Sequence, residues 1–213
     1  MPRFRQSSRE RLVDELSAGV RDRRVLAAIA AVPRDLFVPE DLRRHAWANT
    51  SLPIGEGQTI SQPYVVARMC EMLELTGDET VLDVGTGSGY HAAVLARLAA
   101  RVISIERIEA LSEQARVALA AAGVENVELV TGDGTLGHPP AAPYDAINVA
   151  AAAGGVPPAL AEQLADGGRM VIPSGGAQRL VLVRRRAGRL EQERHDPVRF
   201  VPLVVEPASP RRW

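Results

Sequence analysis

One stretch of the sequence decides the fold: Val81-Leu82-Asp83-Val84-Gly85-Thr86-Gly87-Ser88-Gly89-Tyr90. It is an apolar run that ends in three glycines and passes directly into the helical pattern of residues 91–100, so it predicts a strand, a tight turn and a helix. In an open α/β sheet such a turn lies at the carboxyl end of the strand, where glycines admit a ligand to the backbone and the helix start offers free N–H groups. A dinucleotide fingerprint would have its third glycine at Tyr90, so the turn favours a smaller nucleoside cofactor.

Strand and helix patterns alternate after this stretch begins. Strands are predicted at 81–84, 102–105, 127–130, 144–149 and 169–172, with helices at 91–98, 108–122 and 157–164. This alternation predicts an α/β fold with a doubly wound, mainly parallel sheet. Three strand-like segments without intervening helices follow at 179–186, 190–194 and 200–205, so we expect antiparallel edge strands at the carboxy terminus, and a frayed tail from Pro207 to Trp213.

The amino-terminal part reads as a helical appendage. Residues 7–32 show a helical pattern with Ser7 or Ser8 as its cap and a break near Gly19, and a short helical stretch follows at 41–47. A polar, glycine-bearing loop is predicted at 52–63, followed by a helix at 64–75. We therefore expect a single domain over residues 1–213, with helices and a binding loop at 1–63, a cofactor-binding core at 64–175 and antiparallel strands with the tail at 176–213.

The composition excludes several kinds of chemistry. All 25 basic residues are arginine, because the sequence contains no lysine, so Schiff-base catalysis and a phosphate-binding loop that ends in Gly-Lys are excluded. Cys70 is the only cysteine, and its apolar helical neighbours predict a buried, inert thiol. The four histidines are scattered without short pairing, so we expect no metal site.

Charge and hydropathy indicate a soluble, cytoplasmic protein. No apolar stretch approaches the roughly 18 residues typical of a membrane span, and residues 1–5 lack the apolar core of a signal peptide. The net charge is -1, and the run Arg184-Arg185-Arg186 has no interleaved aromatic residues, so we interpret it as a solvated strand end. We expect neither a membrane nor a nucleic-acid partner.

Three acidic residues end consecutive predicted strands. Asp83 ends the first, Glu106 ends the second about 20 residues after the glycine turn, and Asp133 follows the third. That spacing is the one at which an acid meets the hydroxyl groups of a ribose. An acid for ribose and one glycine turn, without a phosphate-binding lysine, fit S-adenosylmethionine and predict a Rossmann-like methyltransferase. The fourth strand, with Asn148 followed by Val149, lacks the Pro-Pro-aromatic signature of enzymes that methylate nucleobase amines.

A more specific resemblance rests on motifs outside the glycine turn. The loop Gly57-Gln58-Thr59-Ile60-Ser61-Gln62-Pro63 precedes the turn, and further motifs follow in order at 104–107, 132–134, 144–147 and 199–203. Together they resemble the protein-L-isoaspartate O-methyltransferase family over roughly residues 10–205. The glycine turn is general to methyltransferases, whereas the loop around Ser61 is specific to this family.

The resemblance implies a reaction and a set of site residues. Family members transfer a methyl group from S-adenosylmethionine, which leaves as S-adenosylhomocysteine, to the free carboxylate of an isoaspartyl residue, and the ester recloses to a succinimide. The family's active-site serine falls on Ser61. With the glycine turn and the three strand-end acids already predicted, the cofactor contacts are expected at Thr59, Ile60, Asp83, Gly85, Thr86, Gly87, Gly89, Glu106, Arg107, Asp133 and Gly134. The resemblance places substrate contacts at Ile54, Thr59, Ser61, Val201, Pro202 and Leu203.

Ser61 fits a hydrogen-bond donor to the substrate carboxylate, because an ionised carboxylate is already a nucleophile at neutral pH. The pattern alone favours Ser61 as an N-cap of the helix that starts at Pro63 or Tyr64, whereas the resemblance favours the active-site role, and both roles can hold together. Three alternatives stay open: a carboxyl methyltransferase for one dedicated aspartyl peptide, a nucleic-acid methyltransferase, and a non-catalytic cofactor-binding module. We expect isoaspartyl peptides and proteins as partners and a monomeric state.

Overall fold

The computed structural model of the protein describes residues 7–204. Its α-helices are α1 (Ser8–Leu16), α2 (Arg23–Ala31), α3 (Pro63–Leu73), α4 (Tyr90–Ala96), α5 (Glu109–Ala121) and α6 (Pro158–Glu162). Its strands are β1 (Leu52–Gly55), β2 (Gln58–Ile60), β3 (Thr80–Val84), β4 (Arg101–Glu106), β5 (Val127–Thr131), β6 (Tyr144–Val149), β7 (Leu164–Ser174), β8 (Arg179–Arg186) and β9 (Arg189–Pro197). Short 3-10 helices lie at Arg34–Phe37, Glu40–His45, Gly134–Leu136 and Pro139–Ala141.

Seven strands form one sheet in the order β5-β4-β3-β6-β7-β8-β9. The strands from β5 to β7 are parallel to one another, and β8 and β9 complete the sheet as antiparallel strands. From β3 the chain proceeds to β4 and β5 on one side and then returns to β6 and β7 on the other. The order therefore reverses at β3, and in open α/β sheets a ligand binds outside the carboxyl ends of the strands at such a point.

The central strands are apolar because both faces of the sheet are covered. Residues 81–84 of β3 are all buried, and so are residues 102–106 of β4. One apolar cluster packs α1 to α5 against one face, and a second cluster packs α6 and the short loops against the other. Continuous apolar runs of this kind are typical of parallel strands. The longest described helix, α5, has 13 residues, so no helix in residues 7–204 is long enough to cross a lipid bilayer.

The amino-terminal helices form as their sequence predicts. Ser7 caps α1 through a capping box, in which its hydroxyl accepts from the N–H of Glu10 and its own N–H donates to the Glu10 carboxylate. Asp22 caps α2 by accepting from the N–H of Arg24. The break between the two helices falls where Gly19 was expected to produce it, and the buried faces of both helices pack against α3.

The predicted loop at 52–63 is wrong in one respect, because β1 and β2 form an antiparallel hairpin there. The two residues between the strands, Glu56 and Gly57, have φ of 51° and 67°. Positive φ at both central positions is typical of the tight turn that matches the twist of two paired strands. Glu56 is not a residue that signals such a turn in a sequence, so the pattern indicated a loop.

The predicted strand at 200–205 is also wrong for the residues that the structure describes. Pro202 forms only an isolated parallel bridge with Ala152. The Ala152 N–H donates to the carbonyl of Val201 at 2.8 Å, and the Leu203 N–H donates to the carbonyl of Ala152 at 2.7 Å. This segment therefore pairs with a loop rather than with the sheet, because the Pro202 nitrogen has no hydrogen to donate to a ladder. Val205 and the predicted tail from Pro207 to Trp213 lie outside the described residues.

Candidate active site

The glycine turn joins β3 to α4 at the point where the strand order reverses. Gly85, Gly87 and Gly89 have φ of 92°, 53° and 87°, a region of backbone conformation that side chains with a Cβ rarely adopt. Gly89 is also the N-cap of α4, and a Cβ atom there would lie 3.2 Å from the Cβ of Ala115 in α5. The turn therefore needs glycine for its backbone path and for the close approach of a neighbouring helix.

Glu106 stands at the carboxyl end of β4, beside the turn. Its Oε2 atom accepts from the N–H of Gly87 at 2.9 Å, and its Oε1 atom accepts from the N–H of Ile108 at 2.9 Å. These two bonds hold the carboxylate rigidly while each oxygen keeps a further lone pair. A fixed pair of acceptor oxygens at the edge of a cavity matches the two hydroxyl groups of a ribose.

Asp133 and Gly134 follow β5 and have different roles. Asp133 caps a 3-10 helix, since its Oδ1 atom accepts from both the N–H and the hydroxyl of Thr135. Gly134 lines the cavity beside the turn, and a Cβ atom there would lie 2.6 Å from Cγ1 of Val84. The carboxylate of Asp133 is therefore engaged in local structure, and close packing against Val84 requires glycine at position 134.

Ser61 lies between β2 and α3 and lines the same cavity as Glu106. The predicted N-cap role for Ser61 is wrong: the N-cap of α3 is Gln62, and no side chain of that residue makes a capping bond. The N–H of Tyr64, which has no partner within the helix, donates instead to Oδ1 of Asn49 at 3.0 Å. Within residues 7–204 no group hydrogen bonds to the Ser61 hydroxyl, which leaves this half-buried group available to a ligand.

Two adjoining cavities meet at Ser61. The first is lined by residues of the Ser61 loop, the glycine turn, the end of β4 and the carboxy-terminal segment: 58–61, 84–88, 105–108 and 201–204, with Val66, Tyr90, His91, Gly134, Ala150 and Ala151. The second is lined by Ser51, Thr59, Ser61, Gln62, Val65, Ala150 and residues 197–201. The two cavities share Thr59, Ser61, Ala150 and Val201. A ligand in one can therefore meet a ligand in the other beside the Ser61 hydroxyl.

The structure brings most of the predicted site residues to the wall of the first cavity: Thr59, Ile60, Ser61, Gly85, Thr86, Gly87, Glu106, Arg107, Gly134, Val201, Pro202 and Leu203. It does not bring Ile54, Asp83, Gly89 or Asp133 there. Ile54 packs behind the turn, with Cδ1 3.5 Å from the position of a Cβ at Gly87. Asp83 is fully buried beneath the turn.

Asp83 supports the turn from below through β4. The Ser104 hydroxyl donates to Oδ2 of Asp83 at 2.6 Å, and Thr86 donates in turn to the Ser104 oxygen at 2.6 Å. Thr86 belongs to the turn itself, so the buried carboxylate is linked to the ligand-facing backbone by two hydroxyl groups. Burial raises the pKa of Asp83 to about 6, although the hydrogen bonds from Ser104 and Asn148 oppose that rise.

A second branch of this network contains two residues, Asn148 and His91, that the sequence analysis does not place in the site. Asn148 in β6 donates to Oδ1 of Asp83 at 2.7 Å and lies 3.2 Å from Nδ1 of His91. Since the second N–H of this amide points to Nδ1, the proton of the His91 ring belongs on Nε2, which lies 3.5 Å from Sγ of Cys70. Burial lowers the pKa of His91 to about 3, so the ring is neutral, and burial raises the pKa of the Cys70 thiol, which is buried as predicted.

A signal for His91 was present in the sequence. It lies in the first turn of the helix that follows the glycine turn, a position that faces the ends of the strands. Asn148 carried a weaker signal, as a polar residue inside an otherwise apolar strand. Neither position indicates its partner, because the two residues are 57 positions apart in the chain.

The fold and the site together define a Rossmann-like methyltransferase that uses S-adenosylmethionine. The sequence profile of "Protein-L-isoaspartate(D-aspartate) O-methyltransferase (PCMT)" matches residues 7–208. The chain is 54% identical over 207 residues to a protein-L-isoaspartate O-methyltransferase of Methanoregula boonei, with 95% of each chain covered. It is 58% identical over 203 residues to the one of Halorhodospira halophila, with 93% of this chain and 92% of the relative covered. The chain therefore belongs to the protein-L-isoaspartate(D-aspartate) O-methyltransferase family.

Solved structures agree with this fold. A protein-L-isoaspartate O-methyltransferase structure matches 91% of this chain with a TM-score of 0.82 and 30% identity, and this chain spans 65% of its length. A Plasmodium falciparum protein, solved in complex with S-adenosyl-L-homocysteine, matches 93% of this chain and 99% of its own with a TM-score of 0.81. Its identity of 24% supports the fold alone.

Proposed function

We propose that this protein transfers the methyl group of S-adenosylmethionine to the free carboxylate of L-isoaspartyl residues in damaged proteins or peptides. The resulting ester closes to a succinimide, and this begins the repair of the residue. Family membership over residues 7–208 supports the reaction. The observation that carries the assignment within this chain is the Ser61 hydroxyl at the junction of the two cavities, to which no group in residues 7–204 hydrogen bonds.

The first cavity fits the nucleoside part of S-adenosylmethionine. Glu106 offers two fixed carboxylate oxygens to ribose hydroxyl groups, and the glycine turn brings backbone close to the ligand without side chains. Gly134 leaves space where a larger residue would clash with Val84. The sequence has no lysine to neutralise phosphates, which agrees with a cofactor that carries none. When bound, S-adenosylmethionine supplies a methyl group on a positively charged sulfur.

The second cavity is the proposed site of the isoaspartyl peptide. The substrate carboxylate has an ordinary pKa near 4, so it is ionised and nucleophilic at neutral pH without a general base. Ser61 donates a hydrogen bond to one carboxylate oxygen and so directs the other oxygen toward the first cavity. The bond is retained during transfer, and its main contribution is orientation of the attacking atom.

The carboxy-terminal segment closes the site over both ligands. Val201 and Leu203 are held by backbone bonds to Ala152, and residues 201–204 line the first cavity together with the glycine turn. An apolar cover of this kind excludes water from the reacting atoms, which strengthens the hydrogen bond from Ser61.

The experiment that tests the proposal measures transfer of labelled methyl groups to matched peptides. An isoaspartyl peptide is compared with the same sequence containing normal aspartate, and the product is checked for base-labile esters that release methanol. We expect ester formation on the isoaspartyl peptide alone. Methylation of the aspartyl peptide would favour the dedicated carboxyl methyltransferase, and base-stable methyl groups would refute both.

Ser61→Ala tests the role of the hydroxyl. We expect kcat to fall about 10- to 100-fold, because without this bond the attacking carboxylate oxygen is no longer oriented toward the methyl carbon. The Kd for S-adenosylhomocysteine should stay within about twofold of the native value. Ser174→Ala, at the end of β7 and outside both cavities, is the matched control and should retain full activity. An unchanged kcat in Ser61→Ala would remove Ser61 from the mechanism. The cytoplasmic location and the monomeric state stay predictions.

A further inference from the structure

Arg34 is a buried cation directly behind the Ser61 loop. Its side chain has no solvent exposure, although arginine is rarely found fully buried. Its guanidinium group donates to the backbone carbonyls of Ala46 and Thr50, and Nη2 also donates to the carbonyl of Ser61 at 3.1 Å. The group therefore ties the proposed catalytic serine to a chain segment more than ten residues away.

The same guanidinium group also reaches the glycine turn. Its Cζ atom lies 5.5 Å from the ring centre of Tyr90, the first residue of α4 after the turn. A cation over an aromatic face is attracted by the electron-rich ring. Arg34 thus touches both sides of the cavity, with Ser61 on the substrate side and Tyr90 on the cofactor side.

No described carboxylate forms an ion pair with Arg34. Buried charges in proteins are usually paired, because an isolated charge loses its hydration without compensation. Burial lowers the pKa of Arg34 to about 10, so the group still carries its charge at neutral pH. Three carbonyl oxygens and one aromatic ring replace the hydration that the buried guanidinium group loses, and one of those oxygens belongs to Ser61.

The geometry points to Arg34 as a positioning residue for methyl transfer, which acts by fixing the backbone of Ser61 so that its hydroxyl faces the substrate carboxylate. This inference rests on the proposed function. Only a planar guanidinium group presents several N–H donors in one plane, so it can hold carbonyls from two separate segments at once. A lysine retains the charge but cannot reproduce that arrangement in full.

The test is a double-mutant cycle between Arg34 and Ser61. The kcat for an isoaspartyl peptide is measured in the native protein, Arg34→Met, Ser61→Ala and the double variant, with the Kd for S-adenosylhomocysteine measured in each. We expect Arg34→Met to lower kcat at least tenfold when Ser61 is present, and less than twofold when residue 61 is alanine. The Kd should change less than twofold, and Arg34→Lys should recover part of the lost kcat.

Two results would overturn the inference: an unchanged kcat in Arg34→Met, or equal losses in both backgrounds, which would indicate general disruption. If Arg34→Met does not fold, Arg34→Lys completes the same cycle. Amide hydrogen exchange of residues 58–62 gives an independent measurement, since release of the Ser61 carbonyl should accelerate exchange there and leave β8, which is remote from Arg34, unchanged. An inactive native protein would instead refute the proposed function, so the two failures are distinguishable.

Discussion

The buried pair Asp83 and His91 predicts an unusual dependence of stability on pH. Burial raises the pKa of Asp83 from 3.8 to about 6, so the folded protein binds this proton more tightly than the unfolded chain does. The contribution of Asp83 to stability is therefore complete below pH 3.8 and is lost as the pH rises through about 6. Asp83→Asn removes this dependence, so the native protein should gain stability relative to the variant as the pH falls.

The size of the effect follows from the two pKa values. Between pH 7 and pH 4.5 the native protein should gain about 2 kcal/mol relative to Asp83→Asn, since one unit of pKa shift corresponds to about 1.4 kcal/mol. The contribution of His91 to stability changes with pH in the opposite direction. Burial lowers its pKa from 6.5 to about 3, so its contribution is present above pH 6.5 and is lost as the pH falls. Relative to His91→Gln, the native protein should lose about 2.5 kcal/mol over the same range.

The assay is urea unfolding of the three proteins at several pH values from 7 to 4.5. The quantity compared is the difference in free energy of unfolding between the native protein and each variant, followed as a function of pH. Effects of a substitution that do not depend on pH cancel in this comparison. The two variants serve as controls for each other, because they act on one network and should deviate in opposite directions. A constant difference for Asp83→Asn, or one that moves in the same direction as for His91→Gln, would refute the assigned burial of the carboxylate.

The remaining predictions concern ligand binding. Glu106→Gln should raise the Kd for S-adenosylhomocysteine, measured by calorimetry, at least about tenfold. The reason is that one of the two carboxylate oxygens is replaced by an NH2 group, which then faces another N–H donor. An unchanged Kd would argue against the ribose contact. Gly134→Ala should lower the free energy of unfolding in urea by about 1–3 kcal/mol and weaken cofactor binding, since the added Cβ lies 2.6 Å from a Val84 atom. Gly132→Ala is the control: its added Cβ meets no atom within 4 Å, so this variant should be nearly as stable as the native protein. Arg199 is the only charged residue among the described residues that line the second cavity. Arg199→Gln should therefore raise the KM of isoaspartyl peptides with acidic neighbours about threefold. An equal rise in the KM of uncharged peptides would refute a charge effect.

Most elements of the central sheet were predictable because their signals are local. The apolar runs of β3, β4 and β6 and the glycine turn each lie within a few residues, and a parallel sheet covered on both faces demands continuous apolar strands. The hairpin of β1 and β2 was missed because Glu56 adopts a backbone conformation that its side chain does not signal. The segment at 200–204 has the composition of a strand, but its partner is a loop of alanines that no local pattern identifies.

Some site residues likewise have a local signal in the sequence, whereas the roles of others depend on contacts between distant segments. Glu106 was predictable because the distance from a glycine turn to the ribose acid is nearly constant along the chain in this type of fold. Asp83 had the same sequence signal as Glu106, yet its side chain turns into the protein and meets Ser104 and Asn148. The direction in which a terminal strand residue points depends on the neighbouring strands, so two acids with equivalent sequence positions have different environments.

The sequence by itself determined the order of strands and helices, the glycine turn and the loop around Ser61, because periodicity and turn residues act over short distances. The tertiary structure alone decided that Ser61 does not cap its helix, that Arg34 lies behind it, and that His91 is neutral. Each of these depends on atoms separated by many residues in the chain, such as Asn49 with Tyr64 and Asn148 with His91. Packing brings those atoms together, and burial then sets their charge.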